Sequence, residues 1–367
     1  MQYKYNNYVR HNMNDIIKTN KMNSVLQSRT IILFILFLIM WILLGFNTKT
    51  VDMEAYKSFY YWASKGVHYP GIEYGFYYFM RICTLCKFNY STFLAIYALV
   101  GTTIMFLGLN KLIKENINVV LLLFLFFPYL HIIAALRNFM AFAITLWGVH
   151  YLVSNKKHKY IKYVICILIA AQFHISMLFA LVYLFTKLPY KKIDKLIICF
   201  IVVTFILLFA QSQIVRLLTL ISPKVSVYLS EGMTGTRFVT KIFLVLYYFV
   251  KYFISHWIYW EEKYEECSLS DILNKMCLLS IIILPVSFFN MNFMRIEYDS
   301  IIFMSILVFY ESYNNILRSI NKKKQIRVVY TLFYLVSGYI LLYLFSYESV
   351  VQMFWQNNSI FDYLFTN

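Results

Sequence analysis

The sequence predicts an all-α, polytopic integral membrane protein with an amphipathic interfacial helix in its first external loop. Three observations carry this. Of the 367 residues, 61% are hydrophobic and 14% are charged, and the charges gather in short lysine-rich links between long apolar runs. A soluble domain carries about 25% charged residues, and a water-soluble fold of this size does not hide so much apolar surface.

The chain opens with a polar stretch, residues 1–29, holding Lys4, Arg10, Lys18, Lys21 and Arg29. It reads as a cytoplasmic tail ahead of an uncleaved first span. Apolar runs follow at about 31–46, 91–109, 117–135, 138–153, 196–221, 238–259, 272–291, 296–316 and 326–346, against a need of roughly 20 residues per span. Two further stretches are ambiguous. Residues 74–86 are short and contain Arg81, and residues 160–186 are interrupted by Gln172, His174 and Ser176.

The basic residues settle an expected topology. The N-terminal tail, Lys111/Lys114, Lys156/Lys157/Lys159/Lys162, Lys187/Lys191/Lys192/Lys195, Lys263/Lys275 and Arg318/Lys322/Lys323/Lys324/Arg327 hold 22 of the 34 Lys and Arg. The positive-inside rule puts all six clusters in the cytoplasm. That holds if 74–86 does not cross, or crosses as one of an odd set, and if 160–186 enters and leaves on one face as two short helices with a turn near His174. Such irregular backbone is tolerated at membrane depth only against protein or a water-filled cavity. The expected count is about eleven crossings (10–13), N-terminus in and C-terminus out. One transmembrane domain covers 30–346 and a short tail covers 347–367.

The net charge of +17 has no soluble domain to sit on, so nucleic acid is not an expected partner; an anionic membrane face is. Cys83 and Cys86 form a lone C-x-x-C with no second pair, which leaves no zinc site.

With the lysines inside, the scarce polar residues share the outer side. Segment 47–73 repeats apolar and aromatic residues at helical spacing through Met53, Tyr56, Phe59/Tyr60 and Ala63, with Asp52 at the N-cap position. A Pro70-Gly71 turn follows, then Glu73. Asp52 and Glu73 are candidate general bases, equally well read as solvated interfacial charges. Arg137 stands at a break between apolar helices, where a guanidinium suits a diphosphate or a carboxylate partner. His174 is a candidate acid, base or phosphate donor, although a lone His among apolar residues is ordinarily a packing residue. Arg295 is a second candidate anion ligand, and Arg237 lies in a glycine-bearing loop, 222–237. No P-loop, GxGxxG, HExxH or DxD motif is present. Neither a cofactor nor a metal is expected, so the substrate must arrive already activated.

The ordered set Asp52-x-x-x-Tyr56, Glu73-x-Gly75-Phe76, Arg137-Asn138-x-Met140-Ala141, Ala171-x-Phe173-His174-x-Ser176 and a late Arg295 resembles the EpsG family of exopolysaccharide and capsule synthesis, similar to Wzy-type polymerases. The resemblance covers about residues 30–315. It implies a multi-pass protein of the bacterial cytoplasmic membrane that joins oligosaccharide repeat units carried on undecaprenyl diphosphate. Asp52, Glu73 or His174 would serve as base. Arg137, Arg295, Tyr56 and Arg237 would hold diphosphate or sugar. A flippase and a chain-length regulator would be partners. Two rivals fit the same residues less fully: a GT-C type glycosyltransferase using a polyprenyl-phosphate sugar, and a transporter of lipid-linked sugars. The latter is disfavoured by the lack of an internal repeat.

Overall fold

The computed structural model describes residues 29–113, 116–209, 213, 216, 238–262, 268–289, 294, 297–309, 320–344 and 346–355. Among these the regular structure is helical throughout. Helix α1 covers 29–45. It is followed by α2 (Met53–Ser64), α3 (Tyr74–Leu85), α4 (Tyr90–Leu112), α5 (Ile117–Phe126), α6 (Tyr129–Ile133), α7 (Leu136–Val153) and α8 (Lys159–Ala171). A 3-10 helix, Ile175–Lys187, precedes α9 (Tyr190–Phe209) and α10 (Phe238–Glu262). Helix α11 (Leu269–Leu279) runs through a 3-10 turn into α12 (Leu284–Phe289), then come α13 (Tyr298–Phe309) and α14 (Ile320–Tyr339), and π-helical segments Ile340–Leu344 and Tyr347–Gln352 lead to a last short turn, Met353–Trp355.

Among the described residues three helices are long and apolar enough to cross a membrane, Tyr90–Leu112, Val239–Trp260 and Lys324–Tyr343, and there are shorter apolar helices besides. Their outward faces are apolar. Val239, Leu246, Phe249 and Phe253 of α10 are exposed, as are Leu332 and Val336 of α14. Lipid covers such faces without cost.

Helix α2 is amphipathic as expected, burying Met53, Tyr56, Tyr60 and Ala63 along one side. Helix α3 has 12 residues, about 18 Å at 1.5 Å per residue, well short of the roughly 30 Å of a bilayer core. It folds back on α2, where Arg81 Nη1 donates to the carbonyls of Ala63 and Ser64 at 3.1 and 3.0 Å.

The interrupted stretch 160–186 also folds as expected. Helix α8 ends at Ala171, the chain turns through 172–174, and the 3-10 helix returns beside it. The buried Tyr163 hydroxyl donates to Ala180 O across the two limbs at 2.6 Å. The ammonium groups of Lys159 and Lys187, at the hairpin's two ends, lie 5.4 and 5.7 Å from the Tyr160 ring.

One expected loop lysine is not in a loop. Lys275 sits within α11, 6% exposed, bound to Asp271 Oδ2 at 2.9 Å and 5.1 Å from the Tyr190 ring. Asp271 one turn earlier supplies the charge that makes its burial tolerable.

A second buried cation escaped the sequence reading. Lys251 of α10 donates to Ser280 Oγ, Ser300 Oγ and Glu297 Oε1, joining three segments at one ammonium. The Lys251→Met variant is expected to lose about 3–5 kcal/mol, because Glu297 keeps an uncompensated buried charge. Lys251→Met combined with Glu297→Leu is expected to recover most of that loss. Thermal unfolding in detergent checks both.

Candidate functional site

The site lies at the turn of the α8 hairpin, away from its lysine-bearing ends. Glu73 occupies the N-cap position of α3 in extended conformation, and its carboxylate does not cap the helix. It points across to two other segments. Oε2 accepts from Arg137 Nη1 at 2.6 Å. Oε1 is hydrogen-bonded to His174 Nδ1 at 3.2 Å and accepts the Ile175 amide at 3.1 Å.

Each element presents its residue for a local reason. Gly71 adopts φ +89, the left-handed region that glycine enters freely, and this turns the chain so that Glu73 starts α3. Arg137 follows a break after α6, and neighbouring side chains hold that break. Asn47 Nδ2 donates to Ile133 O at 3.3 Å, and the Tyr97 hydroxyl donates to Leu136 O at 3.3 Å. His174 is extended between α8 and the 3-10 helix.

Gly75 explains the spacing of the Glu73-x-Gly75-Phe76 motif. A Cβ there would stand 2.7 Å from Gln172 O and 2.8 Å from Gln172 Cβ, while the Phe76 amide donates to that same carbonyl at 3.2 Å. The glycine lets α3 touch the backbone of the His174 turn. Phe76 then packs edge-on against Tyr56 and Tyr97, at 5.7 and 5.4 Å between ring centroids. Gly75→Ala is expected to push the two segments apart and lower activity by about 100-fold, the usual penalty for displacing a site by about 1 Å. The protein should still insert, and chain growth in membranes against protein level checks this.

Tyr56 is buried on α2 and interacts with the Arg137 guanidinium through its hydroxyl. The structure thus brings Glu73, Arg137, His174 and Tyr56 together. Asp52 lies one turn before Tyr56, its carbonyl accepting the Tyr56 amide at 3.0 Å, and its side chain makes no cap hydrogen bond. Arg237 and Arg295 lie outside the described residues. Sequence reading missed the Gly71 carbonyl, which receives a long 3.5 Å contact from Arg137, and the Ile175 amide. Backbone groups carry no residue signature, so no sequence signal marks them.

The electrostatics divide the roles. Desolvation pushes the Glu73 carboxyl upward, but the His174 hydrogen bond, the Arg137 charge and the Ile175 amide outweigh it, lowering it from 4.5 to about 2. Such a carboxylate stays ionised and is a weak base. It contributes stability that is fully present above pH 4.5 and lost as the pH falls through about 2. The difference in melting temperature between wild type and Glu73→Gln is therefore expected to hold constant above pH 4.5 and close toward pH 2.

With Nδ1 held against Glu73, the imidazole has Nε2 left to accept a proton. The two groups are half-open, Arg137 and His174 each having 24% of their side-chain surface exposed. Among the described residues, Arg137 Nε is a buried donor without a hydrogen-bond partner, and Ser176 Oγ is a buried hydroxyl in the same condition. A partly exposed guanidinium beside an oriented imidazole suits reactions in which an anion departs and a hydroxyl proton is removed.

No curated protein and no solved structure matches the chain. The EpsG family matches residues 30–365, extending past the motif-bearing region to almost the end of the sequence. With nearly its whole length covered, the chain belongs to the EpsG family and is a multi-pass membrane protein of polysaccharide biosynthesis.

Proposed function

We propose that the protein polymerises oligosaccharide repeat units carried on undecaprenyl diphosphate, at the outer face of the bacterial cytoplasmic membrane, in capsule or exopolysaccharide synthesis. The observation that supports it is the convergence of Glu73, Arg137 and His174 from three separated segments, at the turn of a hairpin whose far ends carry the lysines. In this reading the chain crosses the membrane about eleven times, and α2 lies at the outer interface.

The reaction transfers the growing glycan from its lipid diphosphate to a hydroxyl of the incoming unit. The acceptor oxygen bonds to the anomeric carbon as that carbon's bond to diphosphate breaks, and the bonding pair leaves with undecaprenyl diphosphate. His174 Nε2 takes the hydroxyl proton. Arg137 balances the departing anion, with Tyr56 steadying the guanidinium. Glu73 positions both, holding the imidazole in the tautomer with hydrogen on Nδ1. This assigns Glu73 a positioning role in place of general base, because its three donors hold it ionised. Asp52 flanks Tyr56 at the mouth. Flippase and chain-length regulator partners belong to the same proposal.

Purified protein given a complete lipid-diphosphate repeat unit is expected to produce a ladder of glycans without nucleotide or added metal. A product from a single polyprenyl-phosphate sugar alone, or bilayer passage of the unit without any new glycosidic bond, would replace this reading with a GT-C transferase or a transporter respectively.

A further inference from the structure

The α8 hairpin does something that its sequence does not advertise: it folds two lysine-rich links, separated along the chain by both limbs of the hairpin, onto one spot. Lys159 from the first and Lys187 from the second both lie over Tyr160, at 5.4 and 5.7 Å. Each link carries four lysines, within 156–162 and within 187–195. All but Lys159 are exposed. The stretch from 154 to 195 contains one acidic residue, Asp194, and it is occupied by His256 Nε2 at 3.0 Å and the Tyr252 hydroxyl at 3.4 Å. The two links together carry eight lysines against this one carboxylate, and where Lys159 and Lys187 meet the surface keeps a large excess of positive charge.

Directly beside this patch the surface is apolar. Ile161, Ile165 and Leu168 of α8 are 58, 49 and 49% exposed, and Ile198, Val202 and Ile206 of α9 are 58, 51 and 58% exposed. The two faces begin at the lysines and run away from them along their helices. A molecule matching both features has an anionic head and long hydrocarbon chains.

We propose that this patch is a binding site for anionic phospholipids, with the phosphate among the lysines of both links and the acyl chains on the exposed faces of α8 and α9. The site exists only while the hairpin is closed, so a bound lipid favours the closed hairpin and, through it, the position of the His174 turn. Lipid binding here needs only the protein in a bilayer or micelle, whatever reaction the pocket at Glu73 catalyses.

The test uses the intact protein, delipidated in a neutral detergent. Phosphatidylglycerol, cardiolipin, phosphatidylcholine or inorganic phosphate is added, and bound species are counted by native mass spectrometry. Phosphatidylglycerol and cardiolipin are expected to be retained, phosphatidylcholine to be lost, and retention to fall steeply with salt. Each lysine near an anionic lipid surface contributes about a factor of five. Replacing Lys187, Lys191 and Lys192 together by Gln should then weaken binding about 100-fold, and replacing the same three by Arg should preserve it. Equal retention of phosphatidylcholine, salt-independent binding, or an unchanged Gln variant would overturn the proposal. Competition by inorganic phosphate at equal concentration would make this a phosphate site, not a lipid site. The salt and lipid comparisons on the wild-type chain decide the matter even if the Gln variant fails to insert.

Discussion

Replacing Arg137 by alanine is expected to abolish chain growth, with a loss of about 1,000-fold or more in glycan elongation. Removing one preorganised donor from a developing anion costs about 100- to 1,000-fold, and here the same side chain also fixes Glu73 at 2.6 Å. Arg137→Lys is expected to rescue little. An ammonium is a point charge, whereas the planar guanidinium binds Glu73 through Nη1 and engages the Tyr56 hydroxyl at the same time. Arg137→Ala also leaves Glu73 short of its charge partner, so lost activity alone does not separate catalysis from folding. Arg137→Ala combined with Glu73→Ala makes the separation. Thermal stability and insertion should return in the double variant while elongation stays lost. Elongation returning with stability would show that the pair is structural.

Replacing His174 by alanine is expected to lower elongation about 100- to 10,000-fold, the range that general-base catalysis contributes. Insertion should be unaffected, since the hairpin keeps its Tyr163 to Ala180 bond and its Phe76 to Gln172 backbone contact. The informative comparison is His174→Gln, whose amide can hydrogen-bond Glu73 but cannot take a proton. Loss in both variants at unchanged substrate affinity marks a base. Full activity in His174→Gln would reduce the residue to a hydrogen-bonding prop. Measuring kcat and KM separately on the lipid-linked repeat distinguishes the outcomes.

Much of the architecture was legible because it follows from composition and charge. The amphipathic period of α2, the turn at Pro70-Gly71, the break before Arg137 and the reversal near His174 all appear as expected. Each is a local signal: a helical repeat, a turn dipeptide, or polar residues interrupting an apolar run. The pairings were not legible. Glu73 meets Arg137 across 64 residues of sequence and His174 across 101, and nothing in either residue's own neighbourhood specifies the other. Glu73 consequently read as a candidate base when its partners make it a poor one. Lys275 groups with Lys263 in the sequence as a cytoplasmic basic cluster, while its partner in the fold is Asp271 a single turn away. Lys251 carried a usable signal, a cation in the middle of the apolar run of α10 and well past Lys241 near its start, and a charge in that setting calls for a buried counter-charge. The identity of that counter-charge, Glu297, required the fold.

If Glu73, Arg137 and His174 form one pocket facing away from the cytoplasm, thiol labelling in intact cells will show it most directly, starting from a chain with its six cysteines replaced. Arg137→Cys and His174→Cys are predicted to react with a membrane-impermeant reagent added outside, while Lys157→Cys and Lys191→Cys react only after permeabilisation. Labelling of positions 137 and 174 from opposite sides of the membrane would contradict a shared outward pocket.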